Sequence, residues 1–261
     1  MLYKLCLALL LAGSSALTIS PLKARATPRS TGATCSIAVF GASGGTGSEA
    51  VLQALDRGEE VTCLVRDKSK LVSPRTAAGF SEGSAFTSDK LTVAQGSVTN
   101  KADVDAVFAD KGVTGVVVAL GGKTSDVGAT MLQDGTANII AAMKANGVTR
   151  ISVVTTIGAG DSMEQAPWAF RLLMMTVMSS IMADKNAQES VITSAGSDLE
   201  YCIVRPGGLK ADPPTGALFV SGENTPSCLS RAGPVKGRCD RPASVRPKRL
   251  IGRGGPALRA A

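Results

Sequence analysis

Residues 35–49 read CSIAVFGASGGTGSE, and the order of events within them decides the fold. Residues 37–40 are a short apolar run of the kind that forms a buried strand. Gly41, Gly44 and Gly47 follow at once, and an amphipathic run over residues 48–57 begins directly after them. Strand, glycine turn and helix N-terminus together make a site for the pyrophosphate of a dinucleotide. Gly41 allows a tight turn out of the strand. Gly44 lets backbone approach the phosphates, and Gly47 lets the helix pack closely. The spacing is G-x-x-G-x-x-G rather than G-x-G-x-x-G. A lone glycine triplet also serves plain turns, so the strand before it and the helix after it carry the reading.

Outward from this motif, strands and helices alternate. Residues 60–66, 90–95, 114–120, 151–156 and 200–204 read as strands. Residues 100–110, 132–146 and 184–195 read as helices, and Gly147 is placed to end the second of these. Residues 167–182 form an apolar, Met-rich helical stretch. Its eleven-residue core is too short for a membrane span, so a core or lid helix is expected. Alternation of this kind requires a parallel sheet with right-handed crossovers. The expected fold class is α/β: one doubly wound parallel sheet, a Rossmann-like NAD(P)-binding domain over residues 35–220.

The formal charge of +7 is unevenly spread. Residues 221–261 hold nine Lys or Arg against two acids, and residues 1–36 hold four bases and no acid. The body between them is mildly acidic, which argues against a nucleic-acid surface on it. Aromatic residues make up 3% of the chain, so the core must be aliphatic. The chain has no histidine and its six cysteines lack C-x-x-C spacing. No metal site is expected, and His-based acid–base chemistry and Ser-His-Asp triads are excluded.

Residues 1–34 begin with an apolar, signal-like run and continue basic, hydroxylated and acid-free. This composition is expected of a bipartite plastid presequence, with secretion through the ER or a single-step transit peptide as alternatives. Residues 221–261 read as a basic Pro/Gly/Arg-rich disordered tail. The change of composition just after residues 217–220, ALFV, suggests as a hypothesis a shifted reading frame or retained intron. An uninterrupted in-frame message across codons 215–235 would sink that idea. The alternative is a basic tail that touches anionic membrane or RNA.

The end of the second strand reads LVRDK over residues 64–68. Arg66 offers a guanidinium to a 2′-phosphate, which favours NADP(H) over NAD(H). In the opposite reading Arg66 is a solvated strand end, and Asp67 binds ribose hydroxyls.

Several segments taken together resemble the atypical short-chain dehydrogenase/reductase proteins, the NAD(P)H-binding group with NmrA-like members and flavin/biliverdin-IX-beta reductases. They are IAVFGASGGTG (37–47), EVTCLVRDKSKL (60–71), VAQGSVTNKADVDAVF (93–108), GVVVALGG (115–122), GTANIIAAMKANGVTRISVVTT (135–156) and LEYCIVRPGGL (199–209). The resemblance implies that Gly41, Ser43, Gly44, Gly45, Thr46 and Gly47 hold the pyrophosphate, and Arg66 the 2′-phosphate. It places Ser97 and Val98 along the adenine, with Ser97 where relatives carry Asp. Ala119, Leu120 and Gly121 would border ribose and nicotinamide. Thr155 and Thr156 would stand beside the nicotinamide as the catalytic pair, and Pro206 and Gly207 would close over the ring.

The better-known short-chain dehydrogenases use Tyr-x-x-x-Lys, with the tyrosine as proton donor. Here Lys185 is preceded at that spacing by Ile181. Lys185 is expected to be a solvated helix charge, and Asp161 a loop acid without a role. Residues 157–183 are expected to shape a pocket for a flat, apolar small-molecule acceptor. Two functions follow: hydride transfer from NADPH to a flavin, quinone or tetrapyrrole, or an inactive NADP(H)-responsive scaffold in a membrane or protein complex. An NmrA-like regulator fits less well with the acidic body.

Overall fold

The computed structural model describes residues 35–109, 111–122, 128–195, 198–207 and 209. The leader, the tail and the strand-like segment 217–220 lie outside the described residues.

The described chain runs β1 (Ser36–Phe40), α1 (Gly45–Asp56), β2 (Glu60–Val65), β3 (Leu91–Gln95), α2 (Lys101–Phe108), β4 (Val113–Val118), α3 (Met131–Ala145), β5 (Arg150–Val154), α4 (Trp168–Met175), α5 (Ser179–Ser194) and β6 (Glu200–Val204). The strands form one all-parallel sheet in the order β3-β2-β1-β4-β5-β6. The order reverses at β1, so a crevice opens between β1 and β4 at their carboxyl ends.

The period-2 alternation of β1 explains the layers. Ala38 and Phe40 belong to one core cluster with Val116, Val118, Ile139, Met143 and Ile192, under α2, α3 and α5. Ile37 and Val39 belong to the other, with Ala50, Val51 and Ala54 of α1. All of β1 is buried, as a strand covered on both faces must be. Aliphatic burial on two faces stabilises the sheet by roughly 1.5–3 kcal/mol per large side chain.

Gly147 ends α3 as expected, with φ +66°. The Val148 N–H bonds the Met143 carbonyl at 2.9 Å and the Gly147 N–H bonds the Lys144 carbonyl at 3.3 Å. That pair of bonds is a Schellman cap.

Several boundaries differ from expectation: β5 ends at Val154 rather than residue 156, which leaves Thr155 and Thr156 past the strand, and α2 runs Lys101–Phe108 rather than residues 100–110. The first helix starts at Gly45 rather than residue 48, because the Ser48 N–H bonds the Gly44 carbonyl at 2.8 Å and so draws the glycines into the first turn. The strand expected over residues 114–120 runs Val113–Val118, since residues 119–121 leave the sheet to line the crevice. The two helices expected over residues 167–182 and 184–195 break at residues 176–178 instead of at residue 183. Thr176 leaves the helical region at φ −108°, ψ −83°, and a β-branched Val177 follows. Ala183 and Asp184, on either side of the expected boundary, both lie inside α5.

Candidate functional site

The turn after β1 fixes the first part of the site. Gly41 has φ +82°, and a Cβ there would collide with the carbonyl of Ala119. Gly47 is also obligatory, but for a different contact than expected. Its Cβ would strike the Gly41 carbonyl and the Ala42 backbone, so it lets α1 close on its own turn rather than on the strand. Gly44 is less constrained, since a Cβ there would lie 3.4 Å from the Gly41 carbonyl oxygen, and a Cβ at Gly45 would meet nothing within 4 Å.

Gly44 caps α1 with no side-chain hydrogen bond, and the first turn contains no acid. The first N–H groups of a helix lack intrahelical acceptors. Here they open onto a cleft of about 720 Å³, within the size range of ligand sites. Ser43, Gly44, Gly45 and Thr46 line it beside Gly41. An uncapped helix N-terminus and a glycine cradle fit a pyrophosphate.

From this turn the cleft runs both ways across the sheet. Toward β2 and β3 it is lined by Arg66, Ser97, Val98 and Thr99. The Ser97 N–H donates to Asp103 Oδ2 at 2.8 Å, and Asn138 Nδ2 donates to the Val98 carbonyl at 2.9 Å. Asp103 thus fixes the loop where Ser97 lacks a carboxylate of its own. Arg66 is exposed on this wall. Asp67 is absent from the described lining. Its Oδ1 accepts from Ser69 N at 2.9 Å and Ser69 Oγ at 2.6 Å, capping a turn at Lys68–Lys70. The Ser69 bonds, with help from Lys70, hold its carboxyl below the usual range.

Toward β5 the lining continues with Ala119, Leu120, Gly121, Met131, Thr155, Lys185 and Leu209. Thr155 is buried, and its hydroxyl donates to Glu189 Oε1 at 2.8 Å. Glu189 also accepts from Arg205 Nε at 2.9 Å and from Arg205 Nη2. Arg205 Nη1 bonds Asp161 at 2.7 Å. Burial alone would lower the Arg205 guanidinium, but Glu189 and then Asp161 outweigh it and hold the group above its ordinary value. Asp161 is therefore an ion-pair partner, not an idle loop acid.

Lys185 is a second correction. It lies on the cleft wall rather than in solvent, because α5 is clamped to α3. Asp184 accepts the Leu132 and Gln133 N–H groups, each at 2.9 Å, and so caps α3 from another helix. Burial pushes the Lys185 ammonium below its ordinary value, while Glu189 and Asp184 pull it partly back.

Other expected residues lie near the cleft without lining it. Gly47 is inside α1. Thr156 is half-buried, and its carbonyl accepts the Ala159 N–H at 3.2 Å. Pro206 is buried, and its carbonyl accepts the Ile157 N–H at 2.9 Å. Residues 157–183 supply none of the described lining. Ile157, Ala159, Ala166, Met174 and Met182 form a satellite core instead.

Sequence reasoning missed Asp103, Asp184, Glu189 and Arg205, whose contacts join distant segments. A faint signal existed for Lys185, the sole lysine between Lys144 and Lys210.

Fold and cleft define a Rossmann-type dinucleotide-binding protein. A model of the NAD(P)H-binding family matches residues 41–232, and the chain belongs to that family. It is 32% identical over 196 residues to an uncharacterised chloroplastic protein of Arabidopsis thaliana. That match covers 72% of this chain and 64% of the relative, so the chain spans less than two thirds of the relative's length.

Solved structures share the fold. A short-chain dehydrogenase/reductase of Veillonella parvula in complex with NADP is 18% identical, with TM-score 0.54 over 74% of this chain and 82% of that one. ChuY of Escherichia coli is 21% identical, with TM-score 0.51 over 70% and 76%. A putative NAD-dependent epimerase/dehydratase of Bacillus halodurans is 22% identical, with TM-score 0.53 over 76% and 79%.

Proposed function

We propose that this protein is an NADPH-dependent reductase acting on a flat, apolar acceptor of the flavin, quinone or linear tetrapyrrole type. One observation carries the cofactor preference. Arg66 stands exposed on the cleft wall, while Asp67, the carboxylate that would favour NAD(H), is bound within its own turn. A guanidinium suits a 2′-phosphate through paired N–H donors.

The glycine turn and α1 N-terminus would hold the pyrophosphate, and Ser97 and Val98 the adenine. Ala119, Leu120 and Gly121 would border the ribose and nicotinamide. When bound, the reduced cofactor supplies hydride. Leu120, Met131 and Leu209 give the far end of the cleft an apolar wall suited to a flat acceptor. Glu189 is acceptor-only as an ionised carboxylate, so Thr155 must donate to it. Toward the cleft Thr155 presents lone pairs, which suit an N–H of the ligand rather than a carbonyl. Thr156 is left in a supporting place behind it.

The test is NADPH oxidation by the full chain with FMN, a quinone and a linear tetrapyrrole, after binding of NADPH is established. Turnover with any acceptor is expected, and none above background would overturn the reading.

A second reading, an NADP(H)-responsive scaffold, is favoured by the outer face of α4. Trp168 is 80% exposed and Val177 just beyond the helix 79%, with Leu172 and Met175 between them. Nucleotide-dependent migration in native size fractionation would support it, and unchanged migration would oppose it. Residence in the plastid is supported by the leader's composition and by the chloroplastic relative. A fluorescent fusion to residues 1–34 that enters the secretory route instead would contradict it.

A further inference from the structure

We infer that Lys185 is the acid that protonates the acceptor, in a site where Ile181 stands at the spacing of the tyrosine in a Tyr-x-x-x-Lys pair. The inference rests on the reductase reading above. Reducing a carbonyl, imine or methine bridge adds a hydride and a proton, so the site needs a proton source as well as a nucleotide.

The cleft wall narrows the choice. Among its described lining residues, Arg66 and Lys185 are the ionisable ones. Arg66 follows β2 and Lys185 stands beside the end of β5, three strand spacings away, or about 14 Å. A guanidinium keeps its proton in proteins. Thr155 has its hydroxyl proton committed to Glu189. The other hydroxyls on the wall, Ser43, Thr46, Ser97 and Thr99, belong to the phosphate and adenine side. Lys185 is the group left at the reacting end.

Its surroundings suit the task. Asp184 bolts the root of the side chain to α3 through two N–H groups. One turn further on, Glu189 is occupied by Thr155 and Arg205, so its charge is shared rather than spent on the ammonium. Asp161 lies beyond Arg205. An amine whose charged form is disfavoured by burial gives up a proton more readily.

The step balances. Hydride brings two electrons and one hydrogen to the acceptor. The Lys185 Nζ–H bond breaks, its proton joins the atom bearing the new electron pair, and the neutral amine is reprotonated from solvent through the open cleft.

The test compares full-length protein with Lys185→Arg and Lys185→Met. Arginine keeps the charge but cannot act as the acid. Both variants are expected to bind NADPH within about threefold of wild type, while kcat with a quinone or linear tetrapyrrole falls about 100-fold or more. Wild-type kcat should fall as pH rises through the Lys185 titration, with that limb absent from Lys185→Arg. Independently of turnover, pH-dependent acylation read by mass spectrometry should label Lys185 at lower pH than the exposed lysines. Undiminished kcat in Lys185→Arg, or labelling of Lys185 in step with exposed lysines, would overturn the inference and leave the reductase reading standing. Wild-type protein that binds NADPH and reduces no acceptor would overturn both.

Discussion

The two ends of the cleft are built by different means. The end proposed for the pyrophosphate is backbone: a glycine turn and a helix N-terminus contained in residues 41–47. The end proposed for reaction is side chains: Thr155 after β5, Lys185 and Glu189 on α5, Arg205 after β6. Backbone sites are specified locally, because the need for a left-handed φ or for the absence of a Cβ selects glycine at fixed spacing. Side-chain sites are specified by tertiary packing, so their members are scattered in sequence. The first end is therefore rigid in its demands on residue type, while the second depends on partners that keep one another satisfied.

Mutations that attack each end should break it in characteristic ways. Gly41→Val should have the largest effect. It adds a strained left-handed conformation and a collision with Ala119, together about 4 kcal/mol. Loss of measurable NADPH binding, or of soluble protein, is expected. Gly45→Ala is the matched control for folding, since its Cβ meets nothing within 4 Å, and urea unfolding should show it folds as stably as wild type.

At the other end, Glu189→Ala leaves the Thr155 hydroxyl without its acceptor and Arg205 with Asp161 as its remaining carboxylate. Removing one partner of a buried ion pair costs about 3–5 kcal/mol, and the surviving Asp161 contact places this case near the lower figure. The unfolding midpoint in urea should drop accordingly, and an unchanged midpoint would show that the network does not stabilise the fold.

A smaller effect comes from pH. The folded-state pKa of Lys185 lies below its ordinary value of 10.5. Between the two values the unfolded chain binds more protons than the folded one, so stability rises with pH across that window and levels above 10.5. Cys63 slopes the other way above 9.0, because burial pushes its thiol up. The difference between wild type and Lys185→Met isolates the lysine, and a difference independent of pH would contradict its burial.

The same contrast explains what could be read in advance. The sheet was legible because β1 and β4 are short apolar runs between turn signals, and the glycine turn because it is contiguous. The place of Arg66 on the cleft wall was legible because a strand end is a fixed place in this fold. The break between α4 and α5 was not, since the weak helix formers Thr176 and Val177 are a small signal inside a long apolar stretch, and Met174 and Met182 on either side of them pack into the satellite core. Lys185 read as a solvated charge because its neighbours Asp184 and Glu189 look like surface acids in sequence. Only the contacts with Leu132, Gln133, Thr155 and Arg205 turn that face inward.

The most direct measurement is a paired equilibrium titration of NADPH and NADH against wild type and Arg66→Ala. Wild type should bind NADPH more tightly than NADH, and Arg66→Ala should weaken NADPH about 10- to 100-fold, equivalent to a charged hydrogen bond of about 1.5–3 kcal/mol, while leaving NADH unchanged. Equal affinity for the two nucleotides in wild type, or an Arg66→Ala variant that loses both alike, would contradict a cleft built for the 2′-phosphate.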